Sequence, residues 1–258
     1  MIDQLETRMV PLDRDQVDFF HENGYLLLRK ACSDDLLDIY NLHMYGMAAK
    51  EIPGVHDSAE QATFSFRVFN PHLKDGFSLQ MMRLPLVSGA LAQLMGDEAV
   101  GVQSMYFFKE PGSKGQAAHQ DYEYIRHEPN TMIATSLAME RNDEDNGCLR
   151  VVPGSHKLGP LKHGKVKDVL EHADWTTETE GVDLTREIAV VMEKGDLLFF
   201  HSLLVHSSTR NKTADRFRRS YVCHYIRHDS RVTLREDLKQ KIPLHGTAYG
   251  ILAGNALS

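Results

Sequence analysis

Hydrophobic positions in the first hundred residues recur mostly at helical spacing. Asp13 and Gln16 form a capping-box pattern that predicts a helix over residues 13–23. Ser33 is placed to cap a second helix in SDDLLDIYNLHMYGMAAKE, where apolar residues lie three and four positions apart. Residues 76–97 predict a further helical passage that is interrupted near Pro85. The N-terminal part is therefore expected to form a helical layer.

Beyond about residue 98 the pattern changes to short runs rich in Val, Ile, Phe, Tyr and Thr, separated by turn residues. This spacing, without intervening helices, predicts antiparallel strands in a double sheet of jelly-roll type, although other β-sandwiches fit it too. The predicted strands in this region are AVGVQSMYFFK, TMIATSLAME, CLRVV, REIAVVM, LLFFHSLLVHS and FRRSYVCHYI, and GYLLLRKA is a further predicted strand after the first helix. No repeat or linker divides the sequence, so we expect one domain over residues 1–258 with its helices packed on one sheet.

Composition and charge narrow the classes of partner. The formal net charge of −7 leaves no basic footprint for nucleic acid or an anionic membrane. No run approaches the roughly 18 apolar residues of a membrane span, and the start lacks a secretory signal pattern. Three widely spaced cysteines argue against a disulfide framework. We therefore expect a cytoplasmic protein that holds any anionic ligand with locally placed Arg or Lys.

The tripeptide His119-Gln120-Asp121 is the first candidate for metal chemistry. In a β-strand, residues i and i+2 point to the same face, so both side chains can reach one ion. A second such pattern, His172-Ala173-Asp174, lies in a polar segment that favours a helix or loop, where residues two apart diverge. We interpret that second pair as surface residues.

A third ligand is expected in KGDLLFFHSLLVHSSTRN. His201 and His206 would face opposite sides of a regular strand, so only one can enter a shared pocket. We choose His206, which borders a polar turn, and interpret His201 as a hydrogen-bonded core or supporting residue. Two histidines and one carboxylate suit a non-haem Fe(II) site, and a hydrolytic zinc site is the alternative.

A basic cluster, Arg216-Phe217-Arg218-Arg219, begins the last predicted strand. A dicarboxylate co-substrate that chelates iron needs a positive, preferably bidentate group for its other carboxylate. One arginine of the cluster suits that role, and the others are expected on a solvated face.

Several motifs in a fixed order resemble one family. They are DQVDFFHENGYLLL, HQD, NGCLRVVPGSHK, KGDLLFFHSLLVHSSTRNKT and FRRSYVCHY, and together they span most of the chain. They resemble the phytanoyl-CoA dioxygenase (PhyH-like) family of Fe(II)/2-oxoglutarate oxygenases. The resemblance implies an all-β double-stranded β-helix (jelly roll, cupin-like) and a hydroxylase that uses Fe(II), 2-oxoglutarate and O2. It also implies metal ligands at His119, Asp121 and His206.

The resemblance further implies a site for the distal carboxylate of 2-oxoglutarate. Matching Phe217-Arg218 to the family's aromatic-Arg pair selects Arg218. This match requires an insertion of one residue in the preceding turn. Arg216 therefore stays as an alternative. Ser208, two positions after the distal histidine, is implied as a second contact.

Further candidates flank these motifs. Gln103 and Lys109 lie on the predicted strand before HQD, where a pocket wall is expected, and are candidates for co-substrate binding. The substrate candidates are Tyr122, Tyr124, Arg126 and Arg67.

The substrate class follows from the expected burial of Arg67, Lys109 and Arg126. They favour a small anionic or zwitterionic metabolite, of the amino acid or aminoalkyl-phosphonate type. The alternatives are an acyl-CoA hydroxylase of the same family, a cupin-type metal hydrolase or isomerase that does not use 2-oxoglutarate, and an inactive binding protein. The pattern predicts no oligomeric state.

Overall fold

The computed structural model describes residues 11–48 and 66–245. Its α-helices are α1 Arg14–Asn23, α2 Asp34–Ala48, α3 Gly76–Met82, α4 Pro85–Met95 and the single turn α5 Asp121–Tyr124. The first four confirm the predicted helical passages, including the break before Pro85; the predicted end of the second helix lies outside the described residues. The capping box of α1 is formed, with the Asp13 carboxylate accepting from Gln16 N at 2.8 Å and the Gln16 amide accepting from Asp13 N at 3.0 Å.

The described residues contain fifteen strands, which include the predicted runs and some additional short strands. They are β1 Tyr25–Leu28, β2 Phe66–Phe69, β3 Ala99–Lys109, β4 Gln116–His119, β5 His127–Glu128, β6 Ile133–Ala138, β7 Leu149–Val151, β8 His163–Lys165, β9 Thr177–Thr179, β10 Ile188–Ala189, β11 Leu197–His201, β12 His206–Ser208, β13 Arg218–Arg227, β14 Arg231–Val232 and β15 Ile242–Pro243.

The strands form two main antiparallel sheets. The larger has seven strands in the order β1-β11-β6-β13-β3-β15, with β2 also paired to β3. The smaller has four strands in the order β10-β7-β12-β4. Two further pairs, β5 with β14 and β8 with β9, lie beside them. This arrangement confirms the jelly-roll prediction.

Both faces of the larger sheet are buried. On β11, Leu197 and Phe199 belong to the apolar cluster that contains the buried residues of the helices. Leu198 and Phe200 belong to a second cluster that includes Val151 of the smaller sheet. Each such side chain stabilises the fold by about 1.5–3 kcal/mol relative to exposure. Burial on both faces explains why LLFF is continuously apolar instead of alternating.

The run LLFFHSLLVHS is not the single strand that the sequence predicts. It forms β11 in the larger sheet and β12 in the smaller, and residues 202–205 cross between them. The crossing is held by hydrogen bonds from Leu204 N to His201 O at 2.8 Å and from Val205 N to Ser155 Oγ at 2.8 Å. His201 and His206 therefore lie on different sheets, and the prediction that they face opposite sides of one strand was wrong.

Among the described residues, no helix has the length and apolar character needed to cross a membrane.

Candidate active site

Three potential metal ligands converge between the two main sheets. His119 ends β4 and His206 begins β12, and the two residues are direct partners in the register of the smaller sheet. Asp121 opens α5, so it reaches the same point from a helical turn and not from the predicted strand face. One ligand atom from each residue lies within 4.8 Å of the others, and Asp121 Oδ1 is 3.6 Å from Nε2 of both histidines.

Backbone carbonyls fix the orientation of both histidine rings. His119 Nδ1 lies 2.8 Å from Ala117 O, and His206 Nδ1 lies 3.0 Å from Leu204 O. Because a carbonyl oxygen only accepts, each Nδ1 carries the proton and each Nε2 keeps a lone pair. The two lone pairs face the Asp121 carboxylate, which is the arrangement a divalent cation requires.

The protonation states at neutral pH also suit a metal. Burial lowers the pKa of His206 to about 4, so its imidazole is neutral. Burial opposes ionisation of Asp121, but the neighbouring His206 and His224 hold the pKa of its carboxyl well below the ordinary value. Neutral imidazole and carboxylate are the forms that bind a divalent ion.

The wall opposite the ligands comes from two adjacent strands of the larger sheet, β3 and β13. Residues on one face of β3 pair directly with residues on the same face of β13, since side chains alternate along a strand. The four pairs are Lys109–Arg218, Phe107–Ser220, Met105–Val222 and Gln103–His224.

The first of two adjoining cavities has a volume of about 70 Å³ and is lined by the ligand set, Ser208 and Arg218. Arg218 is buried; its Nη1 donates to Ser220 Oγ at 3.1 Å, and its Nε has no partner in the described part of the chain. Burial lowers the pKa of Arg218 to about 10, so the guanidinium remains charged at neutral pH.

Lys109 lies beside this cavity and is fully buried. Its Nζ donates to Ser208 Oγ at 3.4 Å, to Gly147 O at 3.3 Å and to Thr209 O. Burial lowers the pKa of Lys109 well below the ordinary value, and the charge of Arg218 lowers it further. All three partners are neutral.

Lys109 and Arg218 therefore place two basic groups directly opposite each other, and neither forms an ion pair within the described residues. The buried charge of Arg218 needs a partner. An anionic ligand in the cavity would supply that partner. These two basic groups and the histidine–carboxylate set thus fit 2-oxoglutarate and iron, respectively.

The turn before β13 explains why Arg218, and not Arg216, faces this cavity. The side chain of Asn211 is buried and donates through Nδ2 to Lys109 O at 3.1 Å and to Arg216 O at 2.7 Å. Arg216 points away and makes a two-point contact with Asp143, at 2.8 and 3.0 Å.

The second cavity, of about 180 Å³, shares His119, Asp121 and His224 with the first and extends toward Arg67, Gln103, Tyr124 and Trp175. The Arg67 guanidinium carbon lies 4.6 Å from the ring centroid of Phe69 and 4.8 Å from that of Trp175. Burial lowers the pKa of Arg67 to about 10, so it too is charged at neutral pH. The Tyr124 hydroxyl lies 3.1 Å from Thr177 Oγ1. Gln103 thus lies on this side and not beside Arg218.

Two of the substrate candidates line neither cavity. The ring of Tyr122 packs edge-on against His127. Arg126 is exposed and pairs with Glu123 at 2.6 Å, because the single turn of α5 directs it outward. The expectation that Arg126 is buried was wrong.

His172, Asp174 and His201 all lie outside the metal-ligand group found in the described residues. His172 is half-buried in an isolated bridge with Gly115, and Asp174 is exposed. The prediction that both are surface residues is thus right for Asp174 and only partly right for His172. His201 accepts a hydrogen bond from Leu203 N at Nδ1, at 3.0 Å, which confirms its interpretation as a hydrogen-bonded residue.

His224 and Trp175 are among the residues of the cavities that sequence reasoning missed. His224 is buried and lines both cavities. It was detectable, because it lies an even number of positions from Arg218 on the same predicted strand. Trp175 lies in a loop and meets Arg67 only through the tertiary fold, and no local signal marks it.

Comparisons with known proteins agree with this geometry. A family profile described as phytanoyl-CoA dioxygenase (PhyH) matches residues 20–220. The peroxisomal phytanoyl-CoA dioxygenase of Rattus norvegicus is 30% identical over 241 residues, which cover 83% of this chain and 68% of the rat protein. A methylphosphonate hydroxylase of Gimesia maris is 33% identical over 149 residues, covering 55% of this chain and 50% of that protein.

Solved structures share the fold. The epimerase SnoN in complex with Fe3+, alpha ketoglutarate and nogalamycin RO superposes with a TM-score of 0.71 at 19% identity, covering 90% of this chain and 95% of that chain. The predicted fold class, enzyme class and cofactors are thereby confirmed. The chain belongs to the phytanoyl-CoA dioxygenase (PhyH) family of iron- and 2-oxoglutarate-dependent oxygenases.

Proposed function

We propose that this oxygenase hydroxylates a C–H bond of a small anionic or zwitterionic metabolite, of the amino acid or aminoalkyl-phosphonate type. In this proposal His119, Asp121 and His206 hold the iron. The observation that carries it is the pair of adjoining cavities that meet at His119 and Asp121, one lined by the buried Arg218 and the other by the half-buried Arg67.

The smaller cavity is proposed to hold 2-oxoglutarate. Its distal carboxylate would receive charge-assisted hydrogen bonds from Arg218 and a hydroxyl contact from Ser208. Lys109 donates to Ser208 Oγ, which orients that hydroxyl. When iron, 2-oxoglutarate and O2 are bound, they supply the oxidant for a C–H bond and release succinate and CO2.

The larger cavity is proposed to hold the substrate. The rings of Phe69 and Trp175 contact the Arg67 guanidinium, which restricts its motion and directs its N–H edge. A guanidinium held in this way can form two parallel hydrogen bonds to a carboxylate or phosphonate. Gln103 and Tyr124 add polar groups on the same side.

The size of the larger cavity supports a small substrate. Its volume of about 180 Å³ is below the roughly 300–1,000 Å³ typical of sites for drug-sized ligands. The name of the Gimesia maris relative, methylphosphonate hydroxylase, supports the same class. The name of the Rattus norvegicus relative instead favours an acyl-CoA thioester, which is the second candidate.

The test is substrate-dependent succinate release by the full chain with Fe(II) and 2-oxoglutarate. One arm contains amino acids and short alkyl- and aminoalkyl-phosphonates, and the other contains branched-chain acyl-CoA thioesters. Stimulation by the first arm supports the proposal. Stimulation by acyl-CoA alone refutes the substrate class but leaves the oxygenase assignment intact.

The Arg67→Met variant tests the anion contact directly. It should raise the KM for an anionic substrate by at least tenfold, because removal of a charge-assisted hydrogen bond costs about 1.5–3 kcal/mol. Arg126→Met is the matched control, since Arg126 is exposed and lines neither cavity. An unchanged KM in Arg67→Met would remove Arg67 from the substrate site.

A further inference from the structure

The two carboxylate oxygens of Asp121 face different histidines. Oδ1 lies 3.6 Å from Nε2 of His119 and of His206, whereas Oδ2 lies 3.3 Å from Nε2 of His224. His224 is buried and lies on β13, an interior strand of the larger sheet that pairs with β6 and β3. The contact therefore joins Asp121, beside the smaller sheet, to the larger one.

The proton on His224 can be assigned from its surroundings. Its Nδ1 is buried and has no hydrogen-bond partner in the described part of the chain. A proton on Nδ1 would leave a buried donor unsatisfied and would set the Nε2 lone pair against Oδ2. The proton therefore lies on Nε2, which donates to Oδ2.

His119 and His206 do not offer Asp121 the same contact. Their Nδ1 protons go to the carbonyls of Ala117 and Leu204, which leaves unprotonated Nε2 atoms toward the carboxylate. Of these three histidines around Asp121, only His224 thus donates to it.

We propose that His224 is a positioning residue, which occupies Oδ2 of Asp121 and thereby holds Oδ1 toward Nε2 of His119 and His206. This inference rests on the ligand set named under the proposed function. Asp121 needs such support because it opens a helix of a single turn, whereas both histidine ligands lie on paired strands. A central strand supplies a donor whose position is fixed by its neighbours on both sides.

The experiment measures Mn(II) affinity of the full chain by calorimetry, without 2-oxoglutarate, for the wild type, His224→Leu and His224→Gln. Loss of a residue that orients a ligand typically weakens metal binding about 10- to 100-fold, which is the expected effect of His224→Leu. His224→Gln keeps an N–H donor and should recover most of the affinity. The visible spectrum of bound Co(II) should change in His224→Leu, because the freed carboxylate can bind through both oxygens.

His72→Leu is the matched control. His72 is also a buried histidine, but its Nδ1 pairs with Ser104 Oγ at 2.6 Å, away from the ligand set. Its loss should lower the Tm without changing Mn(II) affinity or the Co(II) spectrum. If His224→Leu fails to fold, His224→Met takes its place, since Met fills irregular core space well.

Wild-type Mn(II) affinity in His224→Leu would overturn the inference, and so would a loss in His224→Gln equal to that in His224→Leu. A wild-type chain that binds Mn(II) but never oxidises 2-oxoglutarate would refute the proposed function alone. A wild-type chain that binds no metal would overturn the ligand set and this inference together.

Discussion

Replacement of Arg218 by methionine should separate the co-substrate site from the stability of the fold. Arg218 is buried opposite Lys109 and forms no ion pair with the described residues. Its charge can therefore be neutralised by an anionic ligand in the cavity, but by no acidic side chain of the described residues when the ligand is absent. Arg218→Met keeps a long apolar side chain and removes the charge. We expect 2-oxoglutarate affinity to fall while the ligand-free protein keeps its stability.

The magnitude follows from the burial of the charge. Truncation of one partner of a buried, hydrogen-bonded charge pair costs about 2–5 kcal/mol, which is about 30-fold to several-thousand-fold in Kd. In the ligand-free protein, burial lowers the pKa of Arg218 from its ordinary value to about 10. That lowering corresponds to about 3 kcal/mol of disfavoured charge.

The pH dependence of this penalty has a definite sign. A group whose pKa is lower in the folded state than in the unfolded state destabilises the fold whenever its protonated form dominates. For Arg218 that holds at every pH below about 10, so the penalty is constant between pH 6 and 8. Arg218→Met should therefore unfold at the same temperature as the wild type, or higher, across that window.

The assay is anaerobic calorimetry of 2-oxoglutarate binding to the Mn(II)-loaded protein, together with thermal unfolding without ligand. Arg216→Met is the control, because its guanidinium is held outside the cavity by Asp143. Unchanged affinity in Arg218→Met with a loss in Arg216→Met would mean that the wrong arginine was chosen. A ligand-free Arg218→Met destabilised by several kcal/mol would refute the claim that the charge is unbalanced.

Three other outcomes are expected. His119→Ala and Asp121→Ala should each abolish measurable Mn(II) binding and iron-dependent turnover, and full activity in either variant would contradict the ligand assignment. His172→Ala should leave Mn(II) affinity unchanged, as measured by the same calorimetry. Burial lowers the pKa of His72 to about 4, so the unfolded state binds more protons between pH 6.5 and 4 and stability falls as the pH falls. His72→Leu should remove up to about 3 kcal/mol of the change in unfolding free energy over that pH range, so its Tm should depend less on pH. An unchanged dependence of Tm on pH would show that His72 is not the group that titrates.

The sequence predicts the parts of the site that depend on local periodicity. The run FRRSYVCHY alternates faces, so one β-strand brings Arg218 and His224 to the same wall. The capping box at Asp13 likewise depends only on neighbouring residues. In both cases the information lies within a few positions of the residue concerned.

The unpredicted parts depend on contacts between distant segments. The crossing at residues 202–205 is held by Ser155, about fifty positions away, so the run itself reads as one strand. The outward direction of Arg126 results from a single helical turn that the strand pattern of HQD conceals. Trp175 reaches Arg67 from another part of the fold, and neither local sequence specifies that contact.

The buried side chain of Asn211 has a consequence for comparing this enzyme with its relatives. Asn211 donates hydrogen bonds to the carbonyls of Lys109 and Arg216, which fixes the start of β13 against the end of β3. Residues 212–215 form a loop between these two fixed points. The length of that loop can change without a shift in the register of β13 against β3. Counting positions from His206 is therefore a poor guide to the residue equivalent to Arg218 in another chain. In a chain that keeps this lysine, the position to compare with Arg218 is the residue directly opposite it on the neighbouring strand.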